Sequence, residues 1–226
     1  MKNIKQKHMS DSFYLGLLLA LVGGFLDAYT YVLRGKVFAN AQTGNIVLLG
    51  LAIADGKIGH ALSYLIPILS FILGIILSDM VEKNYKENNR LHWRQITILV
   101  ELFVLLIVGF IPLGDLNMLA NVLISFVCSI QVESFRRMNH LAYASTMCTG
   151  NLRSGTEQLY KYILIKDVEA RNKFLQYYTV IFLFIIGAIV GMEFSKYLGA
   201  QAIWLCCVML AIIFLLMIEK DKEWET

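Results

Sequence analysis

Charge is what this chain has least of. Asp, Glu, Lys and Arg make up 16% of its 226 residues, against about 25% in soluble globular proteins. Only two prolines occur, which argues against a loop-rich fold. The four cysteines, Cys128, Cys148, Cys206 and Cys207, show no Cys-x-x-Cys spacing. Paired-thiol chemistry is thereby excluded, and buried thiols acting as small hydrophobes are expected. His8, His60, His92 and His140 are far apart, so neither a metal site nor another cofactor is expected. No His-Glu-x-x-His or Gly-x-Ser-x-Gly motif is present, and the chain is not expected to be an enzyme.

What the chain has is apolar surface. Hydrophobic residues reach 58% against about 45–50% in soluble proteins, and the mean hydropathy is +0.62. A soluble domain of this size buries only about 70% of its surface, too little to hide so much. A soluble enzyme, a disordered tail and a nucleic-acid reader are therefore excluded. The net charge of +3 arises from 20 basic and 17 acidic residues clustered between apolar runs, not from a basic face. Lys2, Lys5 and Lys7 precede an apolar stretch, as in a signal peptide. That stretch continues from Phe13 to about Leu33 without a small-residue cleavage site, so it reads as a retained first span. The expectation is an all-α polytopic membrane protein.

A helix needs about 20 apolar residues to cross about 30 Å of hydrocarbon. Six segments qualify: 12–33, 60–81, 95–113, 116–135, 174–195 and 201–218. Two others, 45–56 and 150–165, are ambiguous, the second carrying Arg153, Glu157 and Lys161. Lysine and arginine arbitrate, because cytoplasmic loops are enriched in both. Eight crossings give no bias. Six crossings with a cytoplasmic N-terminus leave only Arg34, Lys36, Lys57 and Lys196 outside, and the other sixteen of the 20 basic residues inside. Six crossings are therefore expected, with both termini cytoplasmic.

The tripeptide Thr43-Gly44-Asn45 recurs as Thr149-Gly150-Asn151, 106 residues later. At the same offset Asp27 meets Glu133, and Ala39 falls one place from Ala144. After seven extra residues, Gly74-x-x-x-Ser78 matches Gly187-x-x-x-Gly191, and Lys83 matches Lys196. One order for acid, tripeptide and small-residue pair indicates a duplication. The first repeat spans 1–114 and the second 115–226. Each holds three crossings, so the second enters the membrane upside down, the plan of many secondary transporters.

The ambiguous segments then read as short re-entrant half-helices. Residues 35–43 can reach at most about 30 Å, and 45–56 can return about 18 Å as helix. The chain would descend to mid-membrane, turn at Thr43-Gly44-Asn45 and come back. Thr149-Gly150-Asn151 would do the same from the other side. Two inward helix N-termini would each present about half a positive charge. Gln42, Thr43, Gly44, Asn45, Thr149, Gly150 and Asn151 are the candidate substrate-binding residues, for a small polar or anionic solute. Asp27 and Glu133, acids on apolar helices, are the candidate proton-coupling residues; Thr30 and Tyr31 lie one turn from Asp27 as candidate partners, and Arg136 and Arg137 one turn from Glu133. Glu101 is a weaker candidate.

The run Gly23-Gly24-Phe25-Leu26-Asp27-Ala28-Tyr29, followed by Phe38-Ala39-Asn40-Ala41-Gln42-Thr43-Gly44-Asn45, resembles the YoaK family of bacterial membrane proteins, a domain of unknown function. Gln131 and Thr146-x-x-Thr149-Gly150-Asn151 are similar to its second signature, although Ser129-Ile130-Gln131-Val132-Glu133 departs from a glycine-x-glutamine-asparagine pattern. The resemblance implies about six helices in a bacterial plasma membrane and supplies no substrate.

The small-residue pairs predict close helix packing, within the monomer or across a homodimer. Pro67 is expected to kink its span. A small secondary transporter or channel, with membrane lipid as its surroundings and no nucleic-acid partner, is the leading expectation. A non-transporting assembly subunit is the alternative, and an integral membrane enzyme the third.

Overall fold

The computed structural model describes residues 13–85, 93–138, 141–142 and 148–223. Lys2, Lys5, Lys7, His8, Lys86, Arg90, His92, His140, Ala144 and Thr146 lie outside the described residues.

Eight helices account for almost all of it: α1 (Phe13–Leu33), α2 (Gln42–Ala54), α3 (Ile58–Tyr85), α4 (Trp93–Val108), α5 (Asn117–Ser134), α6 (Cys148–Ile165), α7 (Val168–Leu198) and α8 (Trp204–Glu223). One hairpin, β1 (Arg137–Met138) and β2 (Leu141–Ala142), follows α5. Each of the six expected spans coincides with a helix, and both ambiguous segments are helical. Among the described residues, four stretches are long and apolar enough to cross a membrane: Phe13–Leu33, Ile58–Lys83, Asn117–Ser134 and Val168–Ile218, the last holding α7 and most of α8.

The expected span 95–113 is shorter as a helix. The 16 residues of α4 rise about 24 Å. At its end Gly109 passes so close to the Trp204 indole that a Cβ would collide with it, and Pro112 cannot continue a helical ladder. At the other extreme, the 31 residues of α7 rise about 46 Å, more than the hydrocarbon needs. Its first turn is capped by Asp167, which accepts from the Glu169 N–H at 2.9 Å. The hydrogen bond from Lys161, at 2.7 Å, holds the Asp167 carboxyl below its ordinary range and ties the end of α6 to the start of α7.

Helix pairing crosses between the two halves of the chain. α1 lies along α7, and α3 along α5, while α2 leans on α3, α6 on α7, and α4 on α5 and α8. Both long pairs are parallel. Along one, Gly187 faces the Leu21 backbone and Gly191 faces Phe25. Along the other, Ser70 donates to the Val122 carbonyl at 2.8 Å, Gly74 faces Phe126 and Ser129, and Ser78 meets Ser134 at 3.3 Å. A Cβ on Gly74 or Gly187 would enter the partner's atoms, so glycine here sets the interhelical distance.

Helix α1 is central, with Leu15, Leu19, Phe25, Leu26 and Tyr29 fully buried against Ile98, Leu105, Ile124, Cys206 and Leu210. The outer faces are apolar: Leu69, Ile72, Leu73 and Ile76 on α3, Phe182 on α7, and Val208, Ile212 and Leu215 on α8 are exposed. That pattern, buried polar groups inside and aliphatic side chains outside, is the one a lipid solvent requires.

Candidate functional site

The site begins where α1 ends. After Leu33 the chain turns back along α1 until Asn40 is level with Asp27 and Gly23. Asp27 Oδ1 accepts from the Asn40 N–H at 2.7 Å and the Ala41 N–H at 3.4 Å, and the Asn40 side-chain amide donates to the Gly23 carbonyl at 3.3 Å. Since α1 rises about 1.5 Å per residue, Asp27 holds this loop roughly 9 Å below the last residue of α1.

The tripeptides are displaced from the expected arrangement. The turn is made by residues before Gln42, and Thr43-Gly44-Asn45 forms the first turn of α2. No side chain on α2 itself caps it. Asp27, reaching across from α1, instead binds the Asn40 and Ala41 N–H groups just before the helix. Asn45 serves the same loop. Its Oδ1 accepts from Phe38 N–H at 2.9 Å, while its amide donates to the Phe38 carbonyl at 2.8 Å and to Gln42 Oε1 at 2.9 Å. Gly44 lies under the Phe38 ring. Thr30, an expected partner of Asp27, donates to the Leu26 carbonyl at 2.9 Å and to the Asp27 backbone rather than to its carboxylate. Tyr31 stacks on Phe38 instead, with ring centroids 4.8 Å apart.

The second half supplies Cys148, Thr149, Gly150 and Asn151 from the first turn of α6. Asn151 is buried, and Gly155 packs on Tyr177 and Tyr178. Glu133, near the end of α5, pairs with Arg136 at 2.8 Å. Arg136 also lies 3.7 Å from Asp79 and 3.8 Å from Glu82. One guanidinium thus serves three carboxylates.

A single cavity of about 1190 Å³ joins the two halves. Asp27, Gln42 and Thr43 line it from the first, and Glu133, Thr149, Gly150 and Asn151 from the second. Residues 106 apart in sequence therefore share one space. Gly44 and Asn45 are not in its lining; they hold the loop behind it. Aromatic and aliphatic walls come from Phe38, Phe71, Ile75, Phe184 and Ile189. The charged lining is Asp27, Glu133, Glu193 and Arg136, and Glu193 pairs with Lys196 at 2.7 Å. Asp27 makes no ion pair among the described residues.

Two buried polar clusters lie outside the cavity. Arg34, counted in sequence as a loop charge, is fully buried. Its guanidinium donates to the Pro112 and Ile111 carbonyls at 2.9 Å each and to the Tyr29 hydroxyl at 2.8 Å. Tyr29 passes the contact on to the Ala200 carbonyl at 2.9 Å, and Asn121 donates to the Arg34 carbonyl at 2.7 Å. The C-terminal end of α4, with its unpaired carbonyls, is a favourable place for a cation. No local sequence signal announces this role. Glu101 is equally buried, and the Gln131 amide, with its nitrogen turned toward it, donates at 2.7 Å and 3.2 Å.

The chain is 29% identical over 185 residues to UPF0700 transmembrane protein YoaK of Bacillus subtilis (strain 168), an alignment covering 76% of this chain and 79% of that one. No solved structure matches. A family model described as a protein of unknown function, DUF1275, matches residues 15–216. The chain belongs to that DUF1275 family and is an integral membrane protein.

Proposed function

We propose that the protein is a small secondary transporter, built from two inverted repeats of three crossings, in which α2 and α6 are re-entrant half-helices. The observation that carries the reading is the shared cavity, with Thr43 and Asp27 on one side and Thr149–Asn151 and Glu133 on the other. Packing supports the duplication. Leu21, shifted by the repeat offset, becomes Val127, which lies between Phe126 and Ser129; Gly187 meets Leu21 as its counterpart Gly74 meets Phe126 and Ser129. The depth of Asn40, level with Asp27 rather than with the end of α1, supports re-entry of α2. Irregular backbone at that depth is tolerated where it borders a cavity, and midplane sites between repeats are the transporter pattern.

In this reading both termini are cytoplasmic in a bacterial plasma membrane, and the chain catalyses no covalent chemistry. Asp27 is the coupling group. A proton on its carboxylate would weaken the hold on the Asn40 and Ala41 N–H groups, and so link protonation to the position of the α2 entrance.

The test is flux. Purified protein is reconstituted in vesicles loaded with a pH-sensitive dye and exposed to a panel of small carboxylates, amines and neutral polar solutes. Saturable, solute-dependent proton movement that is absent from protein-free vesicles is expected. No response across the panel would overturn the transporter reading in favour of a non-transporting assembly subunit.

A further inference from the structure

The sign of the solute follows from how the charges around the cavity are already committed. Facing helix N-termini predict an anion, but α2 has one: Asp27, bonded to the N–H groups at its entrance at 2.7 and 3.4 Å. A helix end carries about half a positive charge, so a full carboxylate there leaves that side negative. In the lining as a whole, three carboxylates stand against Arg136. Adding about one positive charge for the two helix ends still leaves roughly one net negative charge.

The existing cations are occupied. Arg136 is surrounded by Glu133, Asp79 and Glu82, and Lys196 is bound to Glu193. Lys36, near the loop, sits over the Tyr31 ring, 4.7 Å from its centroid, and is not part of the lining. Among the described residues, the lining offers a carboxylate-bearing solute no uncommitted guanidinium or ammonium. A cation would find Asp27, which has no ion-pair partner among the described residues. Beside it is Asn40, which also lines the cavity. An unpaired carboxylate in a largely apolar cavity calls for a positive group that brings its own N–H donors.

The rest of the cavity calls for an apolar body. Phe71, Ile75, Phe184 and Ile189 form its walls, and aromatic faces also attract cations. At about 1190 Å³ it exceeds what an inorganic ion requires and matches the scale of pockets for organic ligands, about 300–1,000 Å³. We propose that the cavity binds an amphipathic organic amine, with its ammonium at Asp27 and its apolar part between Phe71 and Phe184. This deepens the transporter reading and rests on the same cavity.

The experiment measures binding, so that it is separate from flux. The full chain in detergent is titrated with phenethylamine, with 3-phenylpropanoate and with 2-phenylethanol, and its thermal stability is followed. Phenethylamine is expected to stabilise saturably, and the carboxylate and the alcohol to bind at least tenfold more weakly. Asp27→Asn keeps an oxygen for the loop N–H groups and should lose at least tenfold in amine affinity, while Asp27→Glu recovers part of it. Equal or tighter binding of the carboxylate, no saturable effect of the amine to 10 mM (roughly the weakest binding such a shift can report), or an Asp27→Asn protein that binds amine normally would each overturn the proposal. If Asp27→Asn fails to fold, the comparison of the three ligands on the unaltered chain decides. Carboxylate binding would refute this inference and leave transport standing; amine binding without flux would do the reverse.

Discussion

Replacing Arg34 with methionine removes a fork that holds four segments together. The guanidinium is fully buried and donates at 2.8–2.9 Å to Tyr29, Ile111 and Pro112. Methionine fills most of the volume but leaves the Ile111 and Pro112 carbonyls without their donor. A buried orphan costs about 1–3 kcal/mol, so two of them cost about 2–6 kcal/mol. Tyr29 keeps its bond to the Ala200 carbonyl and adds little. In a chain of this size each kcal/mol moves the midpoint by about 2–4 °C, so Arg34→Met should melt about 10 °C lower. Arg34→Lys should recover less than half of that, because one ammonium cannot reproduce a planar fork reaching carbonyls and a hydroxyl at once. The assay is thermal unfolding of purified protein in detergent, read by loss of the monodisperse peak. A methionine variant that melts within about 1 °C of the unaltered protein, far below the shift computed from the orphan cost, would refute the reasoning.

Cysteines placed at Lys57 and Lys161 should react with an impermeant thiol reagent from opposite sides of the membrane; labelling from one side would end the inverted-repeat reading. Gly24→Ala drives a Cβ into the Phe184 carbonyl on α7 and should destabilise by about 2 kcal/mol or more, on the scale of core overpacking. Gly50→Ala, with open space around it, should be neutral or stabilise by up to about 1 kcal/mol, as the same melts would show. Asn45→Ala removes three hydrogen bonds to Phe38 and Gln42, and should cost about 2–3 kcal/mol and open residues 35–41 to hydrogen exchange; Thr43→Val should leave both unchanged.

The helices were legible because a lipid solvent writes its demand into length and hydropathy, and each of the six expected spans coincides with a helix. The repeat pointed to Thr43 and Thr149-Gly150-Asn151, which line one cavity. The bond from Asp27 to the loop before α2 was not legible, because it joins two segments that only the fold brings together. The bonds by which Asn45 fastens the same loop go mostly to backbone, which carries no side-chain signature. Arg34 was illegible altogether: a lone arginine after an apolar run has the pattern of a loop charge, and its acceptors are backbone carbonyls, which carry no side-chain signature. The anionic solute expected from the sequence takes both helix ends as free, whereas in the fold Asp27 lies against the Asn40 and Ala41 N–H groups just before α2.

The crossed pairing of α1 with α7 and α3 with α5 has a consequence for biosynthesis. Helix α1 leaves the ribosome first, yet its glycine-bearing face is covered only by α7, which starts at Val168. At about 5–20 residues per second, the intervening chain takes roughly 8–30 s to emerge. For that interval α1, with Asp27 and Arg34, must reside in lipid or against the insertion machinery without its native neighbour. A nascent chain truncated before α7 would therefore keep the loop bonds of Asp27 but leave the Gly24 face of α1 without the helix that packs on it.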